Sequence, residues 1–298
     1  MIINRGSLRD LQVGYKTNFA SAFAAAISKW ALVATLVPSS TGEERYPWLG
    51  SFPGMREWIG ERVLKNIAEY GYSIRNREWE QTVTVPRPAI EDDSFGVYAP
   101  MMEEMGRAAK VHPDELVFAL LNAGFSTLCY DGQFFFDIDH PVLDAAGVEY
   151  SVSNMQAGAG APWYLMDLSR GLKPLIFQER KKPEFVAKDD PETSDEVFMR
   201  NQFVYGTYAR YNVGFAFWQM AFGSKATLTQ ANFRAARTAM TSMRRDLGQP
   251  LGISPTHIVV GPTNADAARD LFTSERLANG QSNTDRNLVQ IIEVPWLV

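Results

Sequence analysis

Residues 94–128 read SFGVYAPMMEEMGRAAKVHPDELVFALLNAGFSTL, and the rest of the chain has to pack on whatever this stretch forms. Val97, Met101, Met105 and Ala108 recur at helical spacing, with Glu103, Glu104 and Arg107 on the other side, so the first half predicts a half-buried helix. Beyond it, Leu116, Val117, Phe118, Ala119, Leu120 and Leu121 leave almost no polar face, which predicts burial all round. Pro113 lies at the join, followed by Asp114 and Glu115, an arrangement that suits a first helical turn with carboxylates at the positive end of the dipole. The expectation is one helix kinked at Pro113, or two nearly collinear helices.

Around this axis the composition is that of an ordinary globular protein. The 298 residues carry 46% apolar and 21% charged side chains, enough to bury a sizeable core in one large or two smaller domains. A net charge of −5 disfavours a broad basic face for sequence-specific nucleic-acid recognition. The single cysteine, Cys129, has no partner for an intrachain disulfide and reads as a buried thiol suited to a reducing compartment. Near the N-terminus, Phe19, Phe23, Ile27 and Trp30 hold helical spacing and Lys29 interrupts the apolar run, so an amphipathic helix fits better than an export signal. No run reaches the ~18 apolar residues of a membrane span.

Residues 46–86 mix Trp48, Trp58 and Trp79 with many charges and have little core of their own. Within them Trp79, Val83 and Val85 share one strand parity and Glu80, Thr82 and Thr84 the other, so 77–85 reads as a two-faced strand stopped by Pro86. It is either a surface hairpin or an arm that reaches another subunit. Residues 151–161 read as a flexible linker, and 163–177 and 197–222 as strands joined by a charged, exposed loop. In the last third, Thr229 caps a helix with Phe233, Ala236, Met240, Met243 and Leu247 on one face. HIVVG and LVQIIEV are strands, a short helix follows Thr263, and residues 276–287 form a polar loop. The alternation describes a small α/β layer domain.

Catalytic chemistry finds little material. The chain has three histidines, no G-x-S-x-G elbow, no phosphate-binding glycine loop and no dinucleotide fingerprint. His112 reads as a helix-start residue, and His257 begins an apolar strand without a visible partner. Asp137, Asp139 and His140 form a D-x-D-H run whose groups could ligate a metal in a metal-dependent enzyme. In a strand, however, His140 would face away from both carboxylates, which favours a structural role. No catalytic, cofactor-binding or metal residue is assigned, and no cofactor is expected.

Long phrases carry a resemblance that short motifs do not: YPWLGSFPGMREWIGERVLKNIAEYGYSIRNREWE from Tyr46, IEDDSFGVYAPMMEEMGRAAKVHPDELVFALLNAGF from Ile90, CYDGQFFFDIDHPV from Cys129, WYLMDLSRGLKPLIFQERKKPEF from Trp163, VFMRNQFVYGTYARYNVGFAFWQMAFGSK from Val197, and the terminal VPWLV. Through them nearly the whole chain resembles the major head subunit of Mu-like phages and prophages, capsid proteins with the α+β Hong Kong 97-type fold. The resemblance implies a non-enzymatic shell protein of the virion, assembled in the bacterial host cytoplasm. Its pentamers and hexamers would enclose double-stranded DNA without sequence specificity, with scaffold, portal and decoration proteins as further partners. It also implies an N-terminal arm at 1–45, an extended loop at 46–86, a peripheral domain at 87–225 with its spine helix at 94–122, and an axial domain at 226–298. Because the strand-rich run 163–222 precedes the axial-type helix, the segment order looks permuted. Trp48, Trp58, Arg62, Arg75, Arg77, Trp79, Arg276, Asn283 and Arg286 are the expected inter-subunit contacts. No crosslinking pair or cleavage site is matched. A cellular cargo-enclosing shell of the same fold is the other structural alternative.

Overall fold

The computed structural model describes residues 5–49, 71–92, 96–144, 146–190, 194–245, 248–276 and 280–297. Its axis is a helix, Ala99–Asn122, that runs through Pro113 without a break in assignment. At ~1.5 Å per residue its 24 residues span about 36 Å. The buried stripe is Met102, Met105, Gly106, Ala109, Pro113, Val117 and Leu121, whereas Val97 and Met101 of the expected stripe are 65% and 41% exposed. The face is set by the first helix, Arg5–Ala25, which crosses at Gly106 so closely that a Cβ there would collide with the Phe19 carbonyl. Nor is the second half buried all round, since Glu115 and Ala119 are exposed and Leu116 and Leu120 half-buried.

Asp114 does not serve its own helix. Its buried carboxylate accepts hydrogen bonds from Ser28 Oγ (2.7 Å) and from the backbone N–H groups of Lys29 (3.0 Å) and Trp30 (2.7 Å). It thereby caps the short helix Trp30–Val33, whose own N-cap residue offers no side-chain bond. The amphipathic reading of 19–30 therefore stops early: the first helix ends at Ala25, Ile27 is 83% exposed, and Trp30 packs on Phe177 at 4.3 Å.

A four-stranded sheet lies against these helices in the order Ala34–Pro38, Leu175–Lys188, Gln202–Phe215, Arg77–Pro86. The first pair is parallel and the others antiparallel. Strand 77–86 alternates as expected, with Trp79, Gln81, Val83 and Val85 turned inward. It pairs with its own chain, and Tyr46 and Leu49 are buried in the core, so both ends of 46–86 are anchored here; residues 50–70 lie outside the described residues. Residues 5–45 are likewise held to their own subunit, through the packing of the first helix on the spine and the pairing of strand 34–38.

Strand 175–188 continues through Pro183, where a loop was expected. Two register shifts at Tyr208–Tyr211 put Pro183 at an irregularity, and among the described residues no neighbour pairs on its other side beyond Glu179, so no ladder bond is lost there. Residues 195–200 then form a short helix instead of a strand.

The second sheet corrects the expected domain boundary. Its order is Gln290–Glu293, His257–Val260, Trp163–Met166, Ala221–Ser224, Met155–Gln156, so strands on both sides of residue 226 share one sheet. Trp163–Met166 is buried at every position, as a central strand covered on both faces must be. The run 163–222 is thus divided: its ends build the small sheet, and its long middle strands leave that sheet and return. A permuted order is not needed. Helices Gln230–Thr241 and Pro262–Phe272 accompany this sheet. Thr229 caps the former through Asn232 N–H (3.3 Å), but that helix stops at Thr241, short of the expected Leu247, and Gly261 occupies the N-cap position of the latter, ahead of Thr263.

Candidate assembly surfaces

The three residues of the D-x-D-H run do not converge on one point. His140 is fully buried at the start of strand His140–Leu143, with its ring stacked on Trp218 at 3.8 Å and 9°. Its Nδ1 lies 2.7 Å from Asp131 Oδ2 and its Nε2 3.2 Å from Asn154 Oδ1. Asp131 also accepts from Cys129 Sγ–H at 3.0 Å and from Gln133 N–H at 3.1 Å. Asn154 in turn donates to the Phe135 carbonyl at 2.8 Å, so the segment expected to be a flexible linker carries a fully buried anchor.

Asp137 instead binds the N–H groups of Phe134 and Ile138, and Asp139 is exposed. The partner of His140 is therefore Asp131, brought back by the tight turn at Gly132 with φ +88°. Asp131-Gly132 is a turn signal in the sequence that could have revealed this. Among the described residues, Cys129, Asp131 and His140 are the group with metal-ligand chemistry in reach of one another. Their 2.7 and 3.0 Å contacts are hydrogen-bond lengths, and the thiol retains its proton because burial, with Asp131 beside it, pushes its pKa up strongly. Burial raises the Asp131 carboxyl, but the hydrogen bonds from His140 and Cys129 outweigh it and bring it below the ordinary range. The network is a clamp that joins the end of the spine helix to the small sheet.

The expected contact residues divide into those left outside and those used by their own subunit. Trp48 is 37% exposed, packed edge-on against Tyr46 and Phe217, and Arg75, Arg77 and Arg276 are exposed. Arg286 pairs with Glu275 at 2.9 Å on the surface. Trp58 and Arg62 lie outside the described residues. Two residues are engaged within their own subunit. Trp79 donates from Nε1 to the Tyr211 carbonyl at 3.0 Å and packs on His112 at 4.5 Å, inside its own chain. Asn283 is buried, its Nδ2 donating to the carbonyls of Leu271 (2.8 Å) and Ser274 (3.0 Å). With Asp285 buried beside it and paired with Arg234 at 3.0 Å, residues 283–285 of the expected polar loop are fastened to their own domain.

Comparison with known proteins bears directly on these surfaces. Residues 8–297 match the family model described as Mu-like prophage major head subunit gpT. The chain is 42% identical to the major capsid protein of Escherichia phage Mu over 306 residues, covering 100% of each. It is 47% identical to the Mu-like prophage FluMu major head subunit of Haemophilus influenzae over 276 residues, covering 90% of this chain and 89% of that one. Among solved structures it is similar to a chain of the procapsid of bacteriophage JBD30, with TM-score 0.87, 48% identity and coverage of 99% and 100%. A second is from the JBD30 capsid decorated with minor capsid protein trimers, with TM-score 0.79, 37% identity and coverage of 94% and 93%. The two-sheet architecture around the Ala99–Asn122 spine is the Hong Kong 97-type capsid fold, and the chain belongs to the Mu-like prophage major head subunit gpT family.

Proposed function

We propose that this chain is a major capsid protein, a virion component that self-assembles into the icosahedral head of a Mu-like phage or prophage. The observation that carries this is family membership over residues 8–297 together with superposition on a procapsid subunit over 99% of the chain. Its work is geometric: copies associate as pentamers and hexamers in the host cytoplasm, guided by a scaffold and a portal, and enclose double-stranded DNA without reading its sequence. A decoration protein on the outer surface is supported by the decorated JBD30 relative. Within the subunit, part of 46–86 reaches a neighbour, and Trp48, Trp58, Arg62, Arg75, Arg77, Arg276 and Arg286 contribute to contacts between copies.

Purified protein, with and without a scaffold protein and over a range of salt, should give closed shells in electron micrographs. Obligate contacts should each bury on the order of 2,000 Å² or more. A monodisperse monomer under every condition would contradict the proposal. Shells that enclose protein cargo in place of DNA would favour a cellular compartment.

A further inference from the structure

Between the spine helix and the inner face of the four-stranded sheet lies an open groove of about 240 Å³. It falls where the layer carries small side chains, Ala108 and Ala109 on the helix and Thr207 and Ala209 on the sheet. One wall is aromatic. Trp79 and Tyr211 lie with ring planes 25° apart and centroids 6.2 Å apart, and His112 packs on Trp79 and places Nδ1 2.8 Å from the Tyr211 hydroxyl. Burial lowers the His112 pKa, partly opposed by Glu115, so the imidazole adds no positive charge near neutral pH. Two carboxylates, Glu80 and Glu115, are among the lining residues, and among the described residues no lysine or arginine lines it. Glu115 is exposed and has no ion-pair partner among the described residues.

We propose that this groove receives a guanidinium, the side chain of an arginine from a second copy of this chain. With Tyr211 buried behind it, the half-buried Trp79 ring next to an unpaired carboxylate offers the surroundings that hold a planar cation, by cation–π contact on one side and a charge-assisted hydrogen bond on the other. A second copy can supply it, since Arg45, Arg75, Arg77 and Arg237 are exposed and form no ion pair among the described residues. The second-copy occupant rests on the shell-forming reading; the guanidinium chemistry of the groove does not.

The test uses His112 as a reporter, because the chain has three histidines and the His112→Gln variant identifies its ring resonances. Unassembled subunits are titrated with N-acetylarginine methylamide, with the citrulline analogue as the neutral control. The His112 resonances should shift saturably with the arginine probe alone, and Glu115→Gln, an exposed change that leaves the fold intact, should weaken binding at least fivefold. Saturating probe at constant ionic strength, and Glu115→Gln without probe, should each raise the protein concentration needed for shells several-fold. No saturable shift, or an equal response to the citrulline analogue, would overturn the groove in shell-forming protein without touching the shell reading. A clean titration with assembly unaffected by probe and variant would overturn the second-copy occupant. A clean titration in protein that never forms shells would overturn that occupant together with the shell reading.

Discussion

The crossing of the first helix over the spine makes a signed prediction for a single methyl group. Gly106→Ala gains about 1 kcal/mol of intrinsic helix propensity. Against that, the added Cβ meets the carbonyl oxygen of Phe19, a backbone atom that cannot rotate aside. Over-packing of this kind costs about 1–3 kcal/mol. Lifting the first helix would relieve the clash but would uncover Leu8, Tyr15 and Phe19, each 5% exposed or less and worth about 1.5–3 kcal/mol. The helices should therefore separate slightly rather than part, and because the atom met is backbone the over-packing cost lies toward the upper end of its range, a net loss of about 1–2 kcal/mol. At ~2.1 cal/mol/K of unfolding entropy per residue, a chain of 298 residues should lose about 2–3 °C in Tm. Gly14, on the first helix with nothing within 4 Å of where a methyl would stand, is the control, and Gly14→Ala should raise Tm. Thermal unfolding of unassembled subunits reads both, and amide exchange across 5–25 should quicken in the first variant alone. A Gly106→Ala subunit as stable as the parent, or the two variants moving together, would refute the reasoning.

Four further outcomes follow from polar groups held by hydrogen bonds. Asp114→Ala strands the Lys29 and Trp30 N–H groups and should cost about 2–4 kcal/mol in urea unfolding, with exchange at 28–33 accelerated first. His140→Gln loses the Trp218 stack and the Asp131 bond and should cost about 2–4 kcal/mol while leaving bound metal, measured by mass spectrometry, unchanged at none. Cys129 should resist iodoacetamide at pH 8 in the native chain and react in urea, since burial suppresses its thiolate. The Glu44 carboxyl, held by the Ser40 and Thr41 N–H groups and the Ser39 hydroxyl, should titrate near pH 2 by NMR; its folded pKa is lowered, so its contribution is complete above the unfolded value and lost as pH falls toward about 2.

What the sequence discloses is what local periodicity encodes. The spine, strand 77–86 and the Thr229 cap are each written in spacing or in one cap residue, and each stands in the structure. The errors lie where a distant segment decides. Met101 and Met102 are adjacent, so the spacing cannot choose between stripes one residue apart; Phe19, lying over Gly106, makes the choice. Pro183 argues for a loop until the free neighbouring edge is known. Asn283 looks like a loop-tip residue because its acceptors, the Leu271 and Ser274 carbonyls, carry no side-chain signal. Surfaces between copies are the least legible part, since one chain's pattern records what it buries within itself.

The position of the irregularity in the large sheet connects these pieces. Near residue 175 the strands Leu175–Lys188 and Gln202–Phe215 are buried in the main core, through Leu175, Ile176, Phe177 and Phe215. At their far end they enter a separate cluster, where Phe203 and Tyr205 meet Leu8, Tyr15, Phe19, Met102 and Met105. The register shifts at Tyr208–Tyr211, Pro183 and the groove beneath Ala108 and Ala109 all fall between the two clusters. A bulge bends and twists a strand locally, and beside it Ala108, Ala109, Thr207 and Ala209 leave the groove unfilled next to Trp79 and Tyr211. The sheet therefore changes direction where one cluster gives way to the other. On the proposed shell reading, an arginine from a second copy seated in the groove would bridge the two clusters at the point where the strands bend.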